Sequence, residues 1–250
     1  MSSAQFTAIL QKLAGAPAKL QKLHFNWRGE PLTNKQLVEF LKIRRQILPD
    51  VSVELHTNGL LLSRRISADI VEHALEGDLF YVSIDGGRRE AHEGNRGVGT
   101  WYRTLRALEM LLDARDDCRI GSPRIGIYEI FYGDRSPYDP ELVALSRRCD
   151  EWSRVSPIQT AGSEQAYDNG TTPFGPCFWA GHSLCVTARG DAYVCLLSFS
   201  PDGWLGNLLT DDIGAILDRA RAFRNALQSG RSGIRHCRSC QKCEGEPDES

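Results

Sequence analysis

A regular alternation of short apolar strands with amphipathic helices constrains this chain more than any other feature. Leu20 to Phe25, Val51 to Leu55, Leu79 to Ile84 and Arg124 to Phe131 read as strands. The intervening stretches 35–47, 66–75 and 100–114 carry apolar residues at helical period. Residues 141–149 extend the alternation with a helix, and Val155 to Thr160 with a fifth strand. Strands that alternate with helices build a parallel sheet. The spacing predicts an α/β fold: a partial parallel barrel of about five βα units, followed by a small α+β cysteine-rich domain. The predicted division is a barrel-like domain over 1–162, a Gly/Pro/Asn-rich linker over 163–176 and a cysteine-bearing domain over 177–250. Residues 3–14 precede the first strand as a helix carrying Phe6, Ile9, Leu10 and Leu13.

The turns after the strands are polar. Glu30 follows the first strand, Asn58 the second and Asp85 the third, at nearly equal spacing. In a parallel sheet or barrel these turns share one edge, which is where ligands bind. Each turn alone reads as ordinary turn chemistry, since Asn-Gly and Asp-Gly stop strands in many folds. Together and in phase they point to a site. His24 and His56 lie on or beside strand ends and reach the same region, where the bland reading is a satisfied rim histidine. Tyr128 and Glu129 are neighbours on the fourth strand, so one of the two points inward.

The last quarter has a different chemistry. Cys177, Cys195, Cys237 and Cys240 combine a hairpin-borne thiol with a Cys-x2-Cys knuckle, a spacing that wraps a metal or an iron–sulfur cluster. Cys243 competes for the last position. Structural zinc would take the same thiolates or admit His236. Cys118, Cys149 and Cys185 lack partners at ligand spacing and read as buried thiols. Ser183 to Thr187 and Ala192 to Leu196 form a hairpin signal around Gly190, and 213–227 a helix. Eight cysteines without a signal sequence favour a reducing cytoplasm and metal chemistry over disulfides. A net charge of -2 gives no pull toward nucleic acid or anionic membrane. No apolar run approaches the ~20 residues that span a bilayer.

Leu23-His24-Phe25-Asn26-Trp27-Arg28-Gly29-Glu30-Pro31-Leu32 resembles the "GGEP" turn of radical SAM enzymes, with Arg28 in place of the first glycine. Thr57-Asn58-Gly59 resembles the turn after their third strand. Val82-Ser83-Ile84-Asp85-Gly86, with His92 and Asn95-Arg96-Gly97-Val98-Gly99-Thr100 beyond it, resembles the stretch after their fourth. Cys177-x12-Gly190-x4-Cys195, Leu205-Gly206-Asn207-Leu208 and Cys237-x2-Cys240 resemble their SPASM or twitch extension. The resemblance implies that Glu30 accepts hydrogen bonds from the methionine ammonium of S-adenosylmethionine, that Ser83 and Asp85 face the ribose, and that Arg96 faces the methionine carboxylate. It implies an auxiliary [4Fe–4S] cluster on Cys177, Cys195, Cys237 and Cys240, a small-molecule or peptide substrate, and a redox partner protein. Family members carry Cys-x3-Cys-x2-Cys after their first strand, whereas no cysteine precedes Cys118 here. The expectation is a truncated or degenerate relative whose first strand is missing and which generates no radical as written.

Overall fold

The computed structural model of the protein describes residues 1–25, 29–118, 123–155, 177–196, 201–230 and 237, with residue 178 described by its backbone alone. Contacts divide the chain into two units. One is drawn from Ala18–Pro157. The other joins Ser3–Pro17, which holds helix α1 (Ser3–Ala14), to the C-terminal part of the chain.

The first unit runs β1 (Lys22–Phe25), α2 (Leu37–Ile47), β2 (Ser52–Thr57), α3 (Arg64–Glu72), β3 (Leu79–Asp85), α4 (Arg89–Arg96), α5 (Trp101–Asp117), β4 (Arg124–Ile130), α6 (Pro140–Ser146) and β5 (Glu151–Val155). The sheet order is β1-β2-β3-β4-β5, and every neighbouring pair is parallel. Each strand therefore lands beside its predecessor, always moving in one direction. The helices meet the sheet on one face: Leu41 of α2, Ile70 of α3, Leu105 and Leu108 of α5 and Leu142 of α6 share a core with Val53, Leu55, Phe80, Val82, Ile84, Ile125 and Ile127. This is a partial β/α barrel, as the sequence period predicts. β3 is buried along its whole length, the signature of a central parallel strand.

Helix starts are written locally. Ser63 Oγ accepts the Ile66 amide at the start of α3. Asp139 accepts the Glu141 amide ahead of Pro140, which is preset for a first helical position. The fifth strand is a correction: it lies at Glu151–Val155, earlier than the predicted 155–160, and residues 156–160 lie outside those described. As an edge strand it needs one apolar face only, so its polar sequence hides it. α4 was not predicted either, because its residues are almost all polar.

At the N-terminal end of the sheet Asp78 gathers four elements through its carboxylate and its backbone carbonyl. Its Oδ1 accepts the Val53 amide at 2.7 Å and its Oδ2 the Leu75 amide at 2.8 Å. Arg44 of α2 donates to Oδ2 and to the Val51 carbonyl, and the Asp78 carbonyl accepts the Arg124 amide. Arg44 and Asp78 are both fully buried.

The second unit contains α7 (Phe178–His182), β6 (Cys185–Val186), β7 (Asp191–Tyr193), β8 (Trp204–Asn207) and α8 (Ile213–Gln228), with the three strands antiparallel in sequence order. Ile9 of α1 packs with Ala192, Val194, Leu205, Leu208, Ile216 and Ala220, and Lys12 Nζ donates to the Asp211 carbonyl. Asn207 locks the hairpin tip: its amide nitrogen donates to the Arg189 carbonyl and to Asp191, and Leu208 N donates to the Gly190 carbonyl. Among the described residues no helix is long and apolar enough to cross a membrane.

Removing one partner from a buried, hydrogen-bonded ion pair strands the other charge. Asp78→Ala is therefore expected to lower unfolding stability by about 3–5 kcal/mol. Urea denaturation checks this, and a midpoint unchanged from the parent would refute it.

Candidate functional site

The turns after β1, β2 and β3 meet at the C-terminal edge of the sheet, and hydrogen bonds join them. Glu30 Oε1 accepts the Thr57 hydroxyl at 2.6 Å and the Leu32 amide at 3.1 Å. Glu30 Oε2 accepts the Asn58 amide at 2.7 Å. Asn58 Oδ1 takes the Leu60 amide, which makes Asn58 a cap for its own turn, as the sequence suggests. Gly59 follows with φ of +75°, and a Cβ there would stand 2.7 Å from that of Ala107, so only glycine lets α5 approach the turn.

The path continues through α5. Thr104 Oγ1 donates to the Asn58 carbonyl at 3.4 Å and stands 3.5 Å from His92 Nε2. His92 Nδ1 accepts the Asp85 amide at 3.2 Å, which places the ring proton on Nε2, facing Thr104. Asp85 then holds Arg96: Nη2 donates to Oδ1 at 2.8 Å, and Nε lies 2.8 Å from Oδ2. A chain of contacts thus runs Glu30, Asn58, Thr104, His92, Asp85, Arg96. Asp85 and Arg96, which the sequence suggests as separate ligand contacts, are paired with each other here. Ser83 sits two residues before Asp85 on the same face of β3, 9% exposed. Arg28 lies outside the described residues. Thr104 carries no sequence signal, since its role arises only when α5 folds back over the β2 turn.

His92 is fully buried, and Trp101 packs against its ring. Burial lowers its pKa to about 4, with the Arg96 charge adding to the effect.

The sheet face that points away from the helices is polar and aromatic. Strand alternation places Lys22 and His24, Glu54 and His56, Tyr81, Ser83 and Asp85, Tyr128, and Glu151 there. Tyr128, not Glu129, is the inward residue of β4. Glu129 is buried on the helix side, where it accepts hydrogen bonds from Tyr138, Trp152 and Arg154.

In the C-terminal unit Cys177 and Cys237 share one buried cluster with Ala180 and Leu227. Cys195 sits in the cluster beneath β7 and β8, and Phe223 packs against both clusters. Cys185, read from spacing as an isolated thiol, stands near Cys195. Burial pushes the Cys185 thiol up to about 12, with Cys195 adding to the shift. Cys240, Cys243 and His236 lie outside the described residues. Among the described residues no three His, Cys, Asp or Glu side chains are arranged to hold a metal ion. The donors nevertheless suit iron and sulfur in kind: they are soft thiols within an apolar shell that keeps water away. Cys118 and Cys149 are partly buried against the helical core of the first unit.

A family model described as the radical SAM superfamily matches residues 11–145, more than half the chain, and one described as an iron–sulfur cluster-binding domain, SPASM, matches 177–244. Such domains imply iron–sulfur clusters. Among solved structures, native anSMEcpe with bound AdoMet aligns over 100% of this chain and 83% of its own, with a TM-score of 0.69 and 14% identity. BtrN in complex with AdoMet and 2-DOIA aligns over 99% and 85%, with a TM-score of 0.59 and 19% identity. Native anSMEcpe with bound AdoMet and Kp18Cys peptide aligns over 99% and 83%, with a TM-score of 0.65 and 14% identity. At these identities the likeness is one of fold. No curated protein matches the chain.

The His92 environment sets a pH dependence. Its pKa lies below the ordinary 6.5, so the unfolded chain binds this proton more readily than the folded one. The resulting stability is complete above pH 6.5 and is lost as the pH falls toward about 4. The loss amounts to about 3 kcal/mol. Stability curves of the parent and His92→Gln, measured between those limits, should diverge by this amount over the interval; parallel curves would refute the assignment.

Proposed function

This chain belongs to the radical SAM superfamily, and we propose that it holds S-adenosylmethionine at the C-terminal edge of its parallel sheet and an auxiliary [4Fe–4S] cluster in its C-terminal unit. The contact path from Glu30 to Arg96 carries this reading, because it fixes three ligand-facing turns as one rigid rim. Glu30 binds the methionine ammonium. A carboxylate has about four acceptor sites, and protein donors take two on Oε1 and one on Oε2. One acceptor site on Oε2 is left for a charged donor. Ser83 and Asp85 face the ribose. Arg96 faces the methionine carboxylate, and Asp85 orients its guanidinium.

Cys177, Cys195, Cys237 and Cys240 ligate the auxiliary cluster, with Cys243 as the alternative last ligand. When bound, the cluster supplies a one-electron donor or acceptor, and a redox partner protein exchanges electrons with it. A structural zinc on the same thiolates is the second reading, favoured by the chemistry of four sulfur donors.

The 250 residues contain no cysteine before Cys118. Their sequence holds no Cys-x3-Cys-x2-Cys triad, so these residues bind S-adenosylmethionine without cleaving it. The neighbours solved with Kp18Cys peptide and with 2-DOIA support a peptide or a small molecule as the substrate class.

Anaerobic calorimetry tests the cofactor site. Glu30→Gln loses a charge-assisted hydrogen bond of about 1.5–3 kcal/mol, which weakens S-adenosylmethionine by roughly ten- to a hundredfold. The parent should yield no 5′-deoxyadenosine under reductant. Unchanged affinity in the variant would overturn the assignment of Glu30, and product formation the claim about cleavage.

Metal analysis tests the second site. The anaerobically reconstituted chain should carry about four irons with matching sulfide, and Cys177→Ser should lose most of them. A colourless protein with about one zinc per chain would select the zinc reading instead.

A further inference from the structure

Parallel pairing of β1 and β2 sets His24 opposite Glu54, with Lys22 and His56 one step away on the same face. Glu54 Oε1 lies 2.8 Å from His56 Nε2 and 3.2 Å from His24 Nδ1. Its Oε2 accepts from Lys22 Nζ at 2.9 Å. Burial opposes the charge on Glu54, yet the hydrogen bonds from His24, His56 and Lys22 outweigh it and hold the carboxyl well below the usual carboxylate range.

An ionised carboxylate can only accept hydrogen bonds. Each imidazole therefore turns an N–H toward Glu54: His56 from Nε2 and His24 from Nδ1. In the neutral rings the opposite nitrogens, His56 Nδ1 and His24 Nε2, carry the lone pairs, with no hydrogen-bond partner among the described residues. These two imidazole nitrogens face one carboxylate oxygen, and among the described residues they form no metal-holding group.

The surroundings fix His56 further. Its ring lies 4.7 Å from that of Tyr81 and 4.5 Å from that of Tyr128. The Tyr81 hydroxyl is bound to Glu151, which Arg124 pairs at 2.6 Å. Of the titratable groups near His56, Lys22 and His24 are committed to Glu54 and Tyr81 and Arg124 to Glu151, while Tyr128 lies edge-on to the imidazole. His56 is 12% exposed against 39% for His24. The result is an oriented imidazole with an open lone pair, walled by aromatic rings, on the ligand-facing side of the sheet.

We propose that His56 and Glu54 form an acid–base site for a substrate bearing a hydroxyl or a primary ammonium. His56 Nδ1 accepts the proton: the O–H or N–H bond of the substrate breaks, the N–H bond of the imidazolium forms, and the electron pair stays on the substrate atom. Glu54 holds the tautomer and balances the new positive charge. The ring faces of Tyr81 and Tyr128 suit an ammonium group before it loses its proton. His24 acts as a positioning residue, because its bond to Oε1 keeps that oxygen aimed between the two rings. The proposal rests on the preceding reading only for the side of the sheet on which the substrate lies.

The test uses the full chain, reconstituted and labelled with 15N in its histidines. In long-range proton–nitrogen spectra at pH 8, His56 should appear with Nε2 protonated and Nδ1 bare, and His24 with the opposite tautomer. Diethyl pyrocarbonate, which attacks bare imidazole nitrogens, should modify His56 and His24 and spare the buried His92. Glu54→Gln should abolish the single tautomer and slow His56 modification severalfold. An Nδ1-protonated His56 in the parent, or a His56 inert under conditions that modify His24, would overturn the proposal; both readouts come from the parent and need no variant to fold. S-adenosylmethionine affinity in Glu54→Gln should stay within twofold of the parent. A failure of Glu30→Gln to weaken that cofactor leaves the histidine readouts untouched, so the two readings fail separately.

Discussion

The Asp78 carboxylate is where the parallel sheet is tied together. It sits fully buried between Arg44 and the amides of Val53 and Leu75. A parallel strand cannot be held by a tight hairpin, so its register depends on what happens at the ends of its crossovers. Asp78 clamps the start of β2, the turn into β3, the start of β4 through its own carbonyl, and α2 through Arg44. The strands are thereby indexed at the bottom of the sheet. Glu30 performs the matching task at the top, where it joins the turns after β1 and β2. Between these two carboxylates the helical core needs only to fill space.

This arrangement separates stability from chemistry. Val53 and Leu55 of β2, Phe80, Val82 and Ile84 of β3, and Ile125 and Ile127 of β4 turn toward the helices, which leaves the other face of the sheet to carry His24, Glu54, His56, Tyr81 and Tyr128. Charged groups on that face are compensated in pairs and small clusters. The rim above it is built from neutral and paired groups too: a neutral His92 bridges the Asp85 backbone and Thr104, and Arg96 rests on Asp85.

Much of this was legible in the sequence. The period of strands and polar turns located β1 to β4 and placed Glu30, Asn58 and Asp85 on one edge. The spacing around Gly190 located the hairpin that Asn207 fastens. What stayed hidden depended on contacts between distant residues. The β5 strand is polar because Glu151 answers Tyr81 and Arg124 on one face, while Trp152 and Arg154 answer Glu129 on the other. The pairing of Asp85 with Arg96 requires α4 to turn back toward the strand it leaves. Thr104 and Cys185 gain their neighbours only from the packing of α5 and of the hairpin. Residues 156–176 and Cys240 lie outside the described part of the chain, so the predicted linker and the last knuckle ligand rest on sequence alone.

Helix α1 has a consequence for the order of assembly. Its residues Ile9 and Lys12 find their partners in β7, β8 and the turn before α8, after the entire five-stranded sheet in sequence. Contacts so distant along the chain are slow to form, because a long loop must close before they yield any stabilisation. During synthesis α1 emerges before the strands it packs against and must wait until β7, β8 and the turn before α8 have been made. The sheet unit, whose contacts are between sequential elements, can be complete by then. The C-terminal unit thus matures after the sheet, because it closes only around helix α1.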